Sequence, residues 1–179
     1  MEIKETKKQE KKQIELSIMP INLAQATFPI VGKSPLLMDK MSQEGNRSSD
    51  NVAGLIAEEK TEPIASFLKM RMVELSPGYA KVAIKLVPEY QNFNGLIFGG
   101  IVMAVADQAF AYASNSLAHP SIASQFNIYF ISGAAVNDEL TAECRVIRSG
   151  RRVGISEMVV TSQDGKLIAK ATGTTIPVG

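Results

Sequence analysis

Residues 99–117 read GGIVMAVADQAFAYASNSL, with apolar or small side chains on every side of a helical wheel. A helix of that kind is buried around most of its circumference, not along one stripe. Everything around it reads as strand. Residues 69–75 (KMRMVEL) and 79–87 (YAKVAIKLV) alternate, and Ser76-Pro77-Gly78 turns between them. The alternation predicts a hairpin with Val82, Ile84 and Leu86 facing in and Lys81 and Lys85 facing water. After the helix, four strand-like segments follow at 122–131, 139–148, 152–162 and 166–176. Ser149-Gly150-Arg151 separates the second from the third, and Asp164-Gly165, a strong short hairpin signal, separates the third from the fourth. One long helix among about six strands predicts an α+β fold in which a curved antiparallel sheet wraps the helix.

Asp107 breaks the apolar pattern and is the only formal charge between Glu89 and Asp138. A buried carboxylate without a partner costs several kcal/mol, so it needs hydrogen bonds or a chemical task. From its position alone both readings stand. The stretch that enters the helix, Asn92-Phe93-Asn94-Gly95-Leu96-Ile97-Phe98-Gly99-Gly100, bears on the choice. Two glycines at a helix start allow close approach, and the free N–H groups there can hold developing negative charge. Gly100 and Asp107 are seven residues apart, about 700° of rotation, so they share a face but lie ~10 Å apart along the axis. One helix cannot bring both to one carbonyl. A two-fold dimer with antiparallel helices can, setting the glycine end of one subunit against the aspartate of the other.

The remaining composition mostly excludes. Among 179 residues there are one His and one Cys, too few for a disulfide framework or a Cys/His zinc cluster. Lys+Arg number 19 against 18 Asp+Glu, so no net field draws nucleic acid or an anionic membrane. Aromatic residues are 6% with no Trp, too sparse for a base-stacking or sugar-stacking surface. The opening MEIKETKKQEKKQIEL mixes Lys with Glu and lacks the apolar centre of a signal peptide, and no stretch reaches the ~18 apolar residues of a membrane span. The expected setting is cytoplasmic. Pro20, Pro29 and Pro35 break residues 14–41 into short pieces, and Ser42–Asn51 (SQEGNRSSDN) reads as a polar linker. The domain boundary is placed there, with residues 1–54 as an unassigned extension and 55–179 as the folded domain. Residues 55–68 suggest a short helix with a fresh start before Pro63.

The pattern Asn92, Gly95, Phe98-Gly99-Gly100, then Ala106-Asp107, with Asn115 near the helix end, resembles the hotdog-fold acyl-CoA thioesterases of the phenylacetic acid degradation type. The resemblance covers residues 55–179. It implies a hotdog fold with the helix inside the sheet, an active site at the interface of a homodimer or homotetramer, and acyl-CoA as substrate without a cofactor or metal. It implies that the Gly99 N–H receives the thioester carbonyl, with Gly100 beside it. It also implies that Asp107 activates water or attacks as nucleophile, and that Asn92 orients water or substrate. The family commonly has His before the two glycines, where this chain has Phe98. The backbone donors survive that change; a side-chain hydrogen bond does not. An acyl-CoA-binding protein without turnover is therefore the rival reading. A dehydratase on the same fold ranks behind both, since that chemistry calls on a His beside the carboxylate.

Other positions carry two readings each. Ser124 stands where related thioesterases often carry Ser or Thr near the acid, and is equally a strand-edge hydroxyl. Arg148, Arg151 and Arg152 flank the turn at Gly150 and suit the phosphates of coenzyme A, or form a solvated hairpin end. Cys144 alternates with Ala142 and Val146 on the inward face and reads as core. Met103 and Tyr112 read as core packing, and His119 as an ordinary loop histidine.

Overall fold

The computed structural model describes residues 35–178. The chain divides into two compact units, Met1–Met38 and Asp39–Gly179, and the fold below is that of the second. The lysine-rich opening and the prolines at 20 and 29 lie outside the described residues.

The first helix, α1 (Pro35–Glu59), runs through the stretch read as a linker. Ser48 and Ser49 there donate their hydroxyls to the Gly45 carbonyl, each at 3.0 Å. Hydroxyls that bond back within the turn do not pull the backbone out of the helix. The C-terminal half of α1 is tied to the sheet: Leu55 is buried, and Glu59 Oε1 accepts the Met72 N–H at 2.7 Å. A fresh start follows before Pro63, as expected. Short helix α2 (Pro63–Leu68) has Pro63 in its first turn, where the missing N–H costs nothing, and ends at Lys69 in a left-handed conformation. That residue delays β1 to Arg71, two residues later than the alternation suggested.

The strands are β1 (Arg71–Ser76), β2 (Tyr79–Lys85), β3 (Ser121–Phe130), β4 (Glu139–Ser149), β5 (Gly154–Ser162) and β6 (Leu167–Pro177). They form one sheet in the order β1-β2-β4-β5-β6-β3, and every pairing is antiparallel. Helix α3 (Gly99–Asn115) packs chiefly on β2, β4 and β5. The β5–β6 hairpin turns at Asp164-Gly165 as expected, with Gly165 at φ +80°, where a side chain is disfavoured.

The core lies between α3 and the concave face of the sheet. Val82 and Ile84 of β2, Leu140 and Ala142 of β4, Met158 and Val160 of β5, and Ile168 of β6 are at most 1% exposed. They meet Val102, Val105, Ala106, Ala109 and Phe110 of α3. Each large side chain removed from water contributes roughly 1.5–3 kcal/mol. Cys144 is fully buried among them, and burial pushes its thiol pKa up to about 12. It is core, as read.

One expectation about α3 fails. The sheet covers the helix on one side only, and Met103, Asp107 and Ala111 form an exposed stripe on the other. Met103 is 38% exposed rather than core, and Asp107 is not a buried charge. Among the described residues nothing covers the apolar side chains on that stripe.

Candidate active site

The loop entering α3 is built by its own backbone. A 3₁₀ turn at Pro88–Tyr90 is anchored by the Tyr90 hydroxyl, which donates to the Leu68 carbonyl at 2.8 Å. Phe98 N–H returns to the Tyr90 carbonyl at 2.8 Å, and Asn92 N–H to that of Leu96 at 2.7 Å. Asn92 Oδ1 accepts from the N–H groups of Asn94 and Leu96 at 2.9 and 3.3 Å. Its side-chain oxygen therefore holds the loop that delivers Phe98 and Gly99, the local pairing that favours Asn in turns.

Phe98 occupies the position before the first helical residue, in extended conformation, with no side-chain cap. Ile101 N–H bonds to the Phe98 carbonyl at 2.9 Å. The N–H groups of Gly99 and Gly100 take part in no hydrogen bond among the described residues. They are the orphan donors at the positive end of the helix dipole. Two phenyl rings flank them. A β-carbon on Gly99 would stand 3.2 Å from Phe130 Cζ, and one on Gly100 only 2.3 Å from Phe98 Cε1. An apolar cavity of about 270 Å³ opens beside Gly99, lined by Ile97, Val102, Phe130 and Ile131 among others.

Asp107 lies eight residues on from Gly99, ~12 Å along the axis. Its carboxylate has no hydrogen bond or ion pair among the described residues. Solvent reaches it from the outer face, yet partial burial removes enough hydration to push its pKa above the ordinary carboxylate value.

The other expected residues lie elsewhere. β3 runs the length of α3: Ser121 N–H bonds to Asn115 Oδ1 at 2.8 Å at one end, and Phe130 meets Gly99 at the other. Ser124, at a bulge in β3, pairs with Thr174 Oγ1 at 2.9 Å. Arg148, Arg151 and Arg152 are exposed and make no ion pair among the described residues. Their turn borders Ser114 and Ala118 at the C-terminal end of α3. Within one chain they therefore sit at the far end of the helix from Gly99.

Residues 94–169 match the family model of the thioesterase superfamily. A putative esterase of Archaeoglobus fulgidus is 34% identical over 115 residues, 64% of this chain and 75% of that protein. The chain belongs to the thioesterase superfamily. The acyl-coenzyme A thioesterase PaaI of Escherichia coli is 28% identical over 120 residues, 67% of this chain and 86% of that protein. The solved structure of E. coli PaaI, from the phenylacetic acid degradation operon, superposes with a TM-score of 0.70 at 26% identity, covering 74% of this chain and 96% of that one. A Streptococcus mutans protein solved bound to acetyl CoA superposes with a TM-score of 0.59 at 26% identity, covering 62% of this chain and 89% of that one. The fold is the hotdog fold of PaaI-like thioesterases.

In this thioesterase one polar cluster beside the helix escaped the sequence reading. Glu62 Oε2 accepts from Gln108 Nε2 at 2.8 Å and from the Tyr112 hydroxyl at 2.6 Å. Tyr112 is thus buried, as expected, but with its hydroxyl committed to a carboxylate. Burial and that carboxylate together raise its pKa. The signal was available: Gln108 and Tyr112, four residues apart, are polar groups on one face of an otherwise apolar helix, and buried polar groups demand partners.

Proposed function

We propose that this chain hydrolyses acyl-CoA thioesters to free acid and coenzyme A. The observation that carries the reading is the pair of unengaged N–H groups at Gly99 and Gly100, on the same helix as a carboxylate, Asp107, that is free and has a raised pKa. Water attacks the thioester carbon and gives its proton to the Asp107 carboxylate. The carbonyl oxygen becomes an oxyanion held by the Gly99 N–H, with Gly100 alongside. Collapse of the tetrahedral intermediate breaks the C–S bond and expels the thiolate of coenzyme A, which takes up a proton. The alternative of direct attack by Asp107, through a transient anhydride, uses the same groups. Asn92 contributes by fixing the loop that aims the glycine amides.

The ~12 Å between Gly99 and Asp107 requires two chains. In a two-fold dimer with antiparallel α3 helices, Gly99 of one subunit faces the partner subunit's Asp107. The uncovered stripe of α3 and the outer edge of β3, with Ile122 58%, Tyr129 71% and Phe130 56% exposed, support that association, whether as a dimer or as a dimer of dimers. The same arrangement swings the arginine turn of one subunit toward the glycine end of the other. There Arg148, Arg151 and Arg152 suit the phosphates of coenzyme A. Ser124, spent on Thr174, shapes the strand near the site.

The test is thiol release from an acyl-CoA panel by the native protein and by Asp107→Asn. Equal rates sink the assignment. The position of the Phe98 ring over Gly100 favours a second reading, acyl-CoA binding without turnover. On that reading acyl-CoA raises the melting temperature while no thiol is released.

A further inference from the structure

The exposed stripe of α3 does not end at Asp107. Ala111, four residues further, lies on the same face ~6 Å along the axis and lines a cavity of about 500 Å³ between α3 and the segment from Leu55 to Pro63. The chemistry of this cavity is one-sided. On its wall Glu62 presents a carboxylate whose Oε2 already accepts from Gln108 and Tyr112. Its Oε1 receives no hydrogen bond among the described residues. Glu58, also lining the cavity, has a carboxylate with no partner among the described residues. Among the described residues no lysine or arginine lines the cavity, and the ionisable groups there besides Glu58 and Glu62 are His119 and Tyr112.

An alkyl chain placed there would strip water from two carboxylates and return no hydrogen bond, a cost of the kind that unpaired polar groups always carry. An acidic group would add a third negative charge. The occupant that satisfies Glu62 Oε1 and offsets the charge is a donor that is itself positive.

We propose that this cavity is the distal acyl subsite, and that it selects acyl groups whose far end carries an ammonium over acyl groups ending in a methyl or a carboxylate. The inference rests on the thioesterase reading, which puts the reacting carbon at Asp107. From there an acyl chain running along the stripe past Ala111 enters the cavity with its far end toward Glu62. Gln108 and Tyr112, by holding Oε2, leave Oε1 as the free acceptor.

The experiment measures hydrolysis of hexanoyl-, 6-hydroxyhexanoyl-, 6-aminohexanoyl- and adipoyl-CoA by the native protein, Glu58→Gln and Glu62→Gln. A hydrogen bond between charged groups is strong enough to separate ligands by about tenfold. The 6-aminohexanoyl thioester should therefore show a KM about tenfold below that of hexanoyl-CoA at similar kcat, with adipoyl-CoA the poorest. Glu58→Gln, at a solvent-exposed position, should narrow the gap, and Glu62→Gln should narrow it further. A hexanoyl KM equal to or below the 6-aminohexanoyl KM in the native protein overturns the subsite without recourse to any variant. So does a gap that both variants leave unchanged. Equal KM values for the hydroxyl and amino thioesters overturn the selection for charge. If neither these four nor any other member of the acyl-CoA panel is hydrolysed, the thioesterase reading fails and the subsite falls with it; hydrolysis of other members but of none of these four overturns the subsite alone.

Discussion

The ring of Phe110 lies against the bare α-carbon of Gly173. A β-carbon there would stand 2.7 Å from Phe110 Cζ and 2.8 Å from Cε1. This contact seats the middle of α3 on β6, and Phe110, 1% exposed, also packs edge-on against Phe126 with ring centroids 5.9 Å apart. The ring has nowhere to go. Gly173→Ala should therefore destabilise the fold by about 1–3 kcal/mol, the usual cost of overpacking a close-packed core. Urea unfolding of the two proteins measures it, and an unchanged midpoint would show that the ring can yield.

Gly100 presents a closer clash with the opposite consequence. Its added β-carbon would meet Phe98 Cε1 at 2.3 Å, but Phe98 is 57% exposed and free to swing outward. Alanine also gains about 1 kcal/mol of helix propensity over glycine. Gly100→Ala should leave the melting temperature within a few degrees of the native value or raise it. Thioester hydrolysis should nonetheless fall, because the methyl and the displaced ring crowd the two free amides. Melting and thiol release on one preparation separate the two effects.

Tyr112 and Glu62 allow a test by pH. Tyr112→Phe deletes one donor to a half-buried carboxylate and should cost about 1.5 kcal/mol, the low end for a hydrogen bond to a charged group. The raised pKa of Tyr112 adds a direction. Above the ordinary tyrosine value the unfolded chain has lost the phenolic proton while the folded chain keeps it. Stability from this group is complete below about pH 10 and declines as pH rises from there. The native protein should lose stability more steeply than Tyr112→Phe on going from pH 9 to 11. Parallel curves would mean that the phenol is not held as the 2.6 Å contact implies.

Most of this architecture was legible because two periodicities carry it. The alternation in 79–87 and the turn at Asp164-Gly165 place β2 and the β5–β6 hairpin within a residue or two, and the run at 99–117, apolar or small on every side but for a few polar positions, marks the one central helix. Helix α1 crosses SQEGNRSSDN with the hydroxyls of Ser48 and Ser49 bonded back to Gly45, a local satisfaction that composition does not reveal. Asp107 and Met103 were expected inside because an apolar helix must be covered, yet the sequence does not say whether its own sheet or a second chain covers each face. For the candidate site, the place of the glycine pair at the start of α3 was legible from the motif. The bonds of Asn92 span only two and four residues within its own loop, whereas the meeting of Glu62 with Tyr112 across 50 residues depends on tertiary placement.

Asp107 carries the sharpest test of mechanism, because its effects on stability and on rate run in opposite directions. Partial burial raises its pKa, so between the ordinary carboxylate value and the raised one the folded chain holds a proton that the unfolded chain has released. Stability from this group is therefore present at low pH, falls as pH rises through that window, and stays lower at neutrality. Asp107→Asn removes the penalty, and its melting temperature at pH 7 should equal or exceed that of the native protein. Its rate should drop by about 10²–10⁴, the usual contribution of a positioned general base. In the native protein kcat/KM should rise with pH along an acid limb whose midpoint lies above the ordinary carboxylate pKa, since only the ionised carboxylate accepts the proton of water. A limb centred at or below the ordinary value would assign the titration to another group. Loss of both stability and activity in Asp107→Asn would make the carboxylate a structural element of the helix, not the base.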